Sequence, residues 1–381
     1  MNFSLSFVLK AAVVIAMAAL VGCGAKDGLA ELERGRAAYA ARDLKKAEKF
    51  FEKSVACAPT RVDALVELAR VKLDLGELAS AKELAQKAEK LAERDSDVRI
   101  LSAQIAWHAK DYAKATKLFR GIATDATLEP EIRAQGWTGE GIVEMACDNR
   151  HIARVDFLQA LRVNRRDAAA WYHLGLLYRD AFGYHDAALE QLNVYVRLEA
   201  EASPRVQKTQ RAIIPGLKET IARALTERPG AGSRDSAKCA EALAKAEAAW
   251  KKGEFKTARL RYQDALKADA LSYPAALGLA KAYQKTDGSK AGQEKAFENY
   301  KLACALRPSA ISTFLEAGKL AAKLGYHAQA VEIGSRALAA NPASLEALDS
   351  LIAALGKTGA KREDIAAYRE YREAIAGARK R

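Results

Sequence analysis

Five histidines, five cysteines and one Gly-Lys-Thr triplet are the residues with the plainest chemical capacity in this 381-residue chain. His108, His151, His173, His185 and His327 are scattered. None falls in an HExxH frame or beside a cysteine at metal-ligand spacing, so each is expected to pack or to face solvent. Gly356-Lys357-Thr358 ends like a phosphate loop, but the position where the first glycine of that loop belongs is Leu351. No Gly-rich stretch follows a strand pattern either, which removes a dinucleotide site. Cys57, Cys147, Cys239 and Cys304 form no CxxC and lie far apart. In an array where each unit touches only its neighbours they are expected to be four buried thiols. No nucleophile, acid–base pair or metal cluster emerges, so the chain is expected to be non-enzymatic, with no cofactor and no metal.

Cys23 stands apart from the other cysteines. Residues 1–22 read MNFSLSFVLKAAVVIAMAALVG, with an apolar run over residues 11–21 and a single charge at Lys10. The run is the shape of an export signal and too short for a comfortable membrane span, which takes ~20 apolar residues. Its end, Leu20-Val21-Gly22-Cys23, resembles the lipobox of bacterial lipoproteins. The resemblance implies that residues 1–22 are removed, that Cys23 takes a diacylglyceryl group, and that the new amine is acylated. Several chains are needed for firm anchoring, because each buried CH2 contributes ~0.8 kcal/mol and one chain holds only marginally. Gly24, rather than Asp, after the cysteine implies the outer membrane, with the protein facing the periplasm.

The elements behind Cys23 are helical. Half the residues are apolar but only 7% are aromatic, and there are only 8 prolines, a profile of close-packed helices without sheet. Ala47, Ala81 and Ala115 recur at intervals of 34, and Phe51, Ala85 and Phe119 follow each by four residues. Trp171, Leu174, Gly175 and Tyr178 give W-x2-L-G-x2-Y, followed by Gly183 and the small pair Ala187-Ala188. This order and period resemble the tetratricopeptide repeat, a helix–turn–helix unit of 34 residues. The resemblance implies an all-α fold, an α-solenoid in two blocks. A tether at 23–29 leads to about five repeats over 30–198, with extra residues in the loop 124–130. A helical spacer and linker at 199–237 carries Pro215-Gly216 and a Pro-Gly-Ala-Gly-Ser run. About four repeats and a solvent-facing cap follow at 238–376, then a basic tail at 377–381.

In that family the first helix of each repeat lines a groove that takes peptides. The corresponding positions here are Tyr39, Arg70, Trp107, Tyr172 and Arg179 in the first block, and Trp250, Lys251, Lys281, Lys285, Lys319 and Lys323 in the second. The lysines recur at i and i+4 as a ladder suited to an acidic or C-terminal carboxylate peptide. The expected function is therefore a lipid-anchored periplasmic scaffold that binds envelope proteins or peptides. Lipoproteins of similar plan include type IV pilus pilotins, β-barrel assembly factors and adaptors of peptidoglycan hydrolases. Net charge is +13, and +12 once residues 1–22 are removed, which supports a second reading as a binder of an anionic polymer such as an acidic glycan or lipid headgroup. A third reading is an accessory subunit of an envelope enzyme or of a secretion or pilus complex. Export, and the lack of aromatics interleaved with the lysines, disfavour nucleic acid. No feature points to a small-molecule substrate.

Overall fold

The computed structural model describes residues 27–199, 203–227, 232 and 234–378. The signal segment, Cys23 and the last residues of the basic tail lie outside them. The described residues are helical throughout, in eight helix pairs, two further helices and a short intervening segment. The first four pairs are α1 (Leu29–Ala40) with α2 (Leu44–Cys57), α3 (Val62–Asp74) with α4 (Leu78–Ala92), α5 (Ser96–His108) with α6 (Tyr112–Ala123), and α9 (Ala168–Asp180) with α10 (His185–Leu198); α7 (Pro130–Ala146) and α8 (Arg150–Val163) come between the third and the fourth in chain order. The intervening segment holds α11 (Pro204–Lys208), a π-helical turn at Thr209–Ile213, and α12 (Ile214–Thr226). The last four pairs are α13 (Ser236–Lys251) with α14 (Phe255–Ala268), α15 (Tyr273–Thr286) with α16 (Lys290–Leu306), α17 (Ile311–Leu324) with α18 (His327–Ala340), and α19 (Leu345–Leu355) with α20 (Arg362–Ala378).

The 34-residue rhythm has a backbone cause. Between most consecutive first and second helices one residue takes positive φ: Arg42, Gly76, Lys110, Asp148, Gly183, Gly253, Gly325 and Gly359, with none between α15 and α16. The residue after it closes a six-residue ring onto the first helix, as in Asp43 N–H to Ala38 C=O at 3.0 Å, Glu77 to Lys72 at 2.8 Å and Asp111 to Ala106 at 3.0 Å. That is a helix C-terminal motif built for glycine. After Arg42 and Lys110, Asp43 and Asp111 cap the next helix by accepting from the amides of Lys46 and Lys114. Lys110 sits at φ 58 with a Cβ that this region penalises by ~1–2 kcal/mol. Lys110→Gly is therefore expected to stabilise the first unit by roughly 0.5–1 kcal/mol after the entropic cost of glycine is subtracted. Urea midpoints of the two forms would show it.

Small residues let the helices cross. Ala47, Ala81, Ala115 and Ala153 are each fully buried, and Phe51, Phe119 and Phe157 fill the spaces beyond them. The close fit is visible at glycines: a Cβ on Gly35 would lie 2.4 Å from the Phe51 ring, and one on Gly278 would lie 2.3 Å from the Tyr262 ring.

Contacts divide the chain into two compact units, one ending at Cys147 and the other starting at Asp148. The sequence places its break at 199–237. In the structure α8, α9 and α10 instead belong with the C-terminal helices, because α8 packs on α20 and α10 packs on both α12 and α18. The spacer is thus a packed element: Val206, Ile214 and Leu217 are buried, and the π turn leads into Pro215, which has no amide to donate. At its far end Arg234 pairs with Asp269 at 3.1 Å, and the Asp235 amide bonds the Ala268 carbonyl at 2.9 Å.

The cap also departs from expectation. Helix α20 is charged in sequence, yet it buries Asp364, Tyr368, Tyr371 and Ile375. Its anchor is Arg154 of α8, whose side chain is fully buried. The guanidinium lies 4.7 Å from the Phe182 ring centre and 5.0 Å from that of Tyr368. It donates through Nε to the Tyr368 hydroxyl at 2.7 Å and through Nη2 to Ser335 Oγ at 3.2 Å. His151 Nδ1 lies 3.1 Å from the same hydroxyl. A cation stacked between two aromatic faces and bonded at the edge is a strong arrangement in a dry site.

Candidate functional site

The first helices of successive pairs touch one another directly, α1 with α3, α3 with α5 and α17 with α19. Of the groove positions named from sequence, Tyr39, Arg70, Trp107, Lys319 and Lys323 lie on these helices, and several are occupied by partners within the chain. The Tyr39 hydroxyl donates to Asp74 at 2.7 Å. Burial first, and then that carboxylate, push the phenol up to about 12. Arg70 pairs with Asp97 at 2.8 Å and with Glu67 at 3.7 Å, while Arg36 reaches Glu67 at 3.4 Å. These pairs tie one repeat to the next. Trp107 is half-buried against Tyr112, with ring centres 5.5 Å apart.

In the second unit Tyr172 packs on Tyr195 at 4.9 Å and carries the Arg205 guanidinium 5.1 Å above its ring. Arg179 is paired with Asp180 at 2.5 Å, and Trp250 meets the edge of Phe255 at 4.9 Å. Lys319 is held between Glu316 at 3.2 Å and Glu346 at 3.0 Å, so it joins α17 to α19 and its charge is compensated. Lys251, Lys281, Lys285 and Lys323 differ from these. All four are exposed, and none has a hydrogen-bond or ion-pair partner among the described residues. The ladder read from sequence is therefore a set of free ammonium groups on α13, α15 and α17, interrupted by one paired lysine. Sequence spacing could place Lys319 on the stripe but could not show that Glu346, 27 residues on, would meet it.

His151 and His173 pack inside the second unit, whereas His108 faces solvent. His151 and His173 are pushed down to about 4, in each case by burial first and then by neighbouring arginines. Both are neutral in the native state, whereas an unfolded histidine titrates near 6.5. Between those values the unfolded chain binds more protons. Stability is therefore complete above pH 6.5, falls as pH drops toward 4, and levels off below. Each histidine contributes on the order of 3 kcal/mol across that window, partly offset by Asp364, whose carboxyl burial pushes up. Urea unfolding of the H151N/H173N double variant should show a markedly flatter profile from pH 7 to pH 4 than wild type.

Cys239 and Cys304 are free and buried, with the Cys304 thiol pushed up to about 12 by burial. The other two correct the expectation of four buried thiols: Cys147 is free but exposed, and Cys57 is disulfide-bonded. The repeat argument for Cys57 considered only other repeats. In the structure the backbone before α1 passes beside it, so that a Cβ on Gly28 would lie 3.2 Å from Cys57 Cβ. Among the described residues no cluster of three metal-ligating side chains occurs, and no helix is long and apolar enough to cross a membrane.

Two family models described as tetratricopeptide repeat match the chain, one over residues 38–105 and the other over residues 140–204 and 243–309. No curated protein matches. Among solved structures, PilF of Pseudomonas aeruginosa is 19% identical, covering 53% of this chain and 93% of its own, at a TM-score of 0.39. A tetratricopeptide repeat protein of Parabacteroides merdae is 15% identical, covering 78% of this chain and 99% of its own, at 0.34. YrrB, described as a TPR protein with an unusual peptide-binding site, is 14% identical over 51% of this chain and 93% of its own, at 0.32.

Proposed function

We propose that this chain, which belongs to the tetratricopeptide-repeat family, is a non-catalytic scaffold that captures acidic segments of partner proteins on the first-helix face of its second unit. Repeats of this family are protein-interaction scaffolds, and the observation that selects acidic partners is the four unpaired lysines, Lys251, Lys281, Lys285 and Lys323. An acidic peptide lying across α13, α15 and α17 would meet charges that no carboxylate of the chain already neutralises. The Leu20-Val21-Gly22-Cys23 run supports placing the scaffold at the bacterial outer membrane, held by lipid on Cys23 and facing the periplasm. With Cys147, Cys239 and Cys304 free, a lipid on the Cys23 thiol leaves Cys57 no cysteine to pair with, so the anchored form and the Cys57 disulfide are alternative states. The scaffold's partners are then envelope proteins.

The test is fluorescence anisotropy of labelled acidic, basic and neutral decapeptides with the chain lacking residues 1–22, followed by Lys281→Glu, Lys285→Glu and Lys323→Glu combined. An exposed pair lost contributes up to ~1 kcal/mol, so the three reversals should weaken acidic-peptide binding by roughly 10–100-fold at low salt. An unchanged affinity would sink the reading. The high net charge of +13 favours the anionic-polymer reading as the competitor. Binding that ignores peptide sequence and falls steeply with salt for heparin-like glycans would select it. Membrane extraction beside Cys23→Ala tests the anchor: wild type should partition with detergent and the variant should not.

A further inference from the structure

We propose that the second unit contains a separate pocket, between α8, α9 and α20, for a small amphipathic carboxylate. The cavity measures about 270 Å³. Its walls are Leu158, Leu174, Tyr371 and Ile375, each no more than 7% exposed, with Trp171 closing one side. Such walls hold water poorly and favour an apolar group.

One polar side chain in the lining is a buried orphan. The Tyr178 side chain is fully buried and its hydroxyl has no hydrogen-bond partner. Gln191, 5% exposed, lines the same cavity. A buried group of this kind is nearly always satisfied, and the orphan hydroxyl marks a place for a hydrogen-bonding ligand. At the rim stands Arg165, exposed and without an ion pair among the described residues, beside Arg162, whose Nε donates to Gln159 at 2.8 Å. The Arg165 guanidinium at the mouth repels a cationic ligand and attracts a carboxylate.

The ligand is thus an apolar body with one carboxylate. A cavity of about 270 Å³ holds a small apolar body and excludes a long chain. A medium-chain alkanoate and the C-terminal residue of a peptide share this chemistry. The pocket does not depend on the lysine face, and the triple lysine variant should leave its binding intact.

Isothermal titration calorimetry of the chain lacking residues 1–22 with straight-chain acids from butanoate to decanoate tests the proposal. Each added CH2 should tighten binding about fourfold until the cavity fills, and further carbons should then add nothing. Octanol should bind at least about tenfold more weakly than octanoate. Arg165→Gln, a surface change, should bring octanoate close to octanol, and Ala339→Phe, which narrows the cavity from α18, should abolish both. Competition with acetyl-Gly-Gly-Phe as free acid and as amide separates the sources: displacement of octanoate by the acid alone assigns a peptide C-terminus, and no displacement assigns a free acid. No saturable octanoate binding up to about 10 mM, or equal binding of acid and alcohol by wild type, overturns the proposal.

Discussion

Replacing Arg154 by alanine is expected to release α20 and to lower the stability of the second unit by roughly 3 kcal/mol. The side chain is fully buried, and the void left by truncating so large a group costs about 3–5 kcal/mol. The Tyr368 hydroxyl and Ser335 Oγ each lose one hydrogen bond but keep another partner, His151 for the first and Tyr184 for the second, so each loss adds only about 0.5–1.5 kcal/mol. Against these stands the recovered desolvation of a guanidinium with no carboxylate in contact, which is worth several kcal/mol. The balance predicts an order among substitutions. Arg154→Met fills the space without a charge and should be milder than Arg154→Ala. Arg154→Lys should be the worst, because an ammonium cannot lie flat between the Phe182 and Tyr368 rings and remains buried without an anion. Hydrogen exchange of the α20 amides, read beside urea unfolding, measures both effects. Protection of α20 unchanged in Arg154→Ala would show that the tyrosine and isoleucine face holds the helix alone.

This anchor marks where sequence reading stopped. What repeats in the chain was legible: Ala47, Ala81 and Ala115 announce the close crossings, and the glycines at 76, 253 and 325 announce the turns. Such features arise from contacts between residues within one or two helices, so their spacing carries a period. Arg154 and Tyr368 meet across 214 residues, and no period connects them. A charged helix at the end of an array therefore read as a solvent-facing cap when its buried stripe was Tyr368, Tyr371 and Ile375. The candidate site was half legible for a similar reason. Groove positions follow from register, but whether a lysine there is free depends on one carboxylate in the next repeat, as Lys319 and Glu346 show. The pocket residues of α8 and α9 show a helical spacing, but Tyr371 and Ile375 join them only when α20 docks, so nothing in the spacing points to the cavity.

Gly136→Ala and Gly121→Ala, the same substitution in adjacent helices of the first unit, are expected to act with opposite signs. Alanine is favoured over glycine inside a helix by ~1 kcal/mol, and both sites would gain that. At Gly121 of α6 the new Cβ meets nothing within 4 Å, so the gain is realised and the unit should become more stable by roughly 1 kcal/mol. At Gly136 of α7 the Cβ would stand 2.6 Å from the Ala123 amide nitrogen, 2.9 Å from its Cα and 2.9 Å from the Phe119 carbonyl oxygen. These are backbone atoms of a packed helix and cannot rotate away, so α6 and α7 must separate. Separation loosens the Arg120–Glu140 pair, whose oxygens lie 2.7 Å from Arg120 Nε and whose carboxylate is only 1% exposed. Overpacking costs about 1–3 kcal/mol by itself, and disturbing a buried ion pair adds to it. A net loss of about 3 kcal/mol is expected for Gly136→Ala. Urea midpoints of the two variants moving in opposite directions would establish the helix crossing at Gly136 as a fixed point of the fold. A stabilised Gly136→Ala would mean that α7 can shift on α6 with little penalty, and that the contact is a resting place for the helices with room to slide.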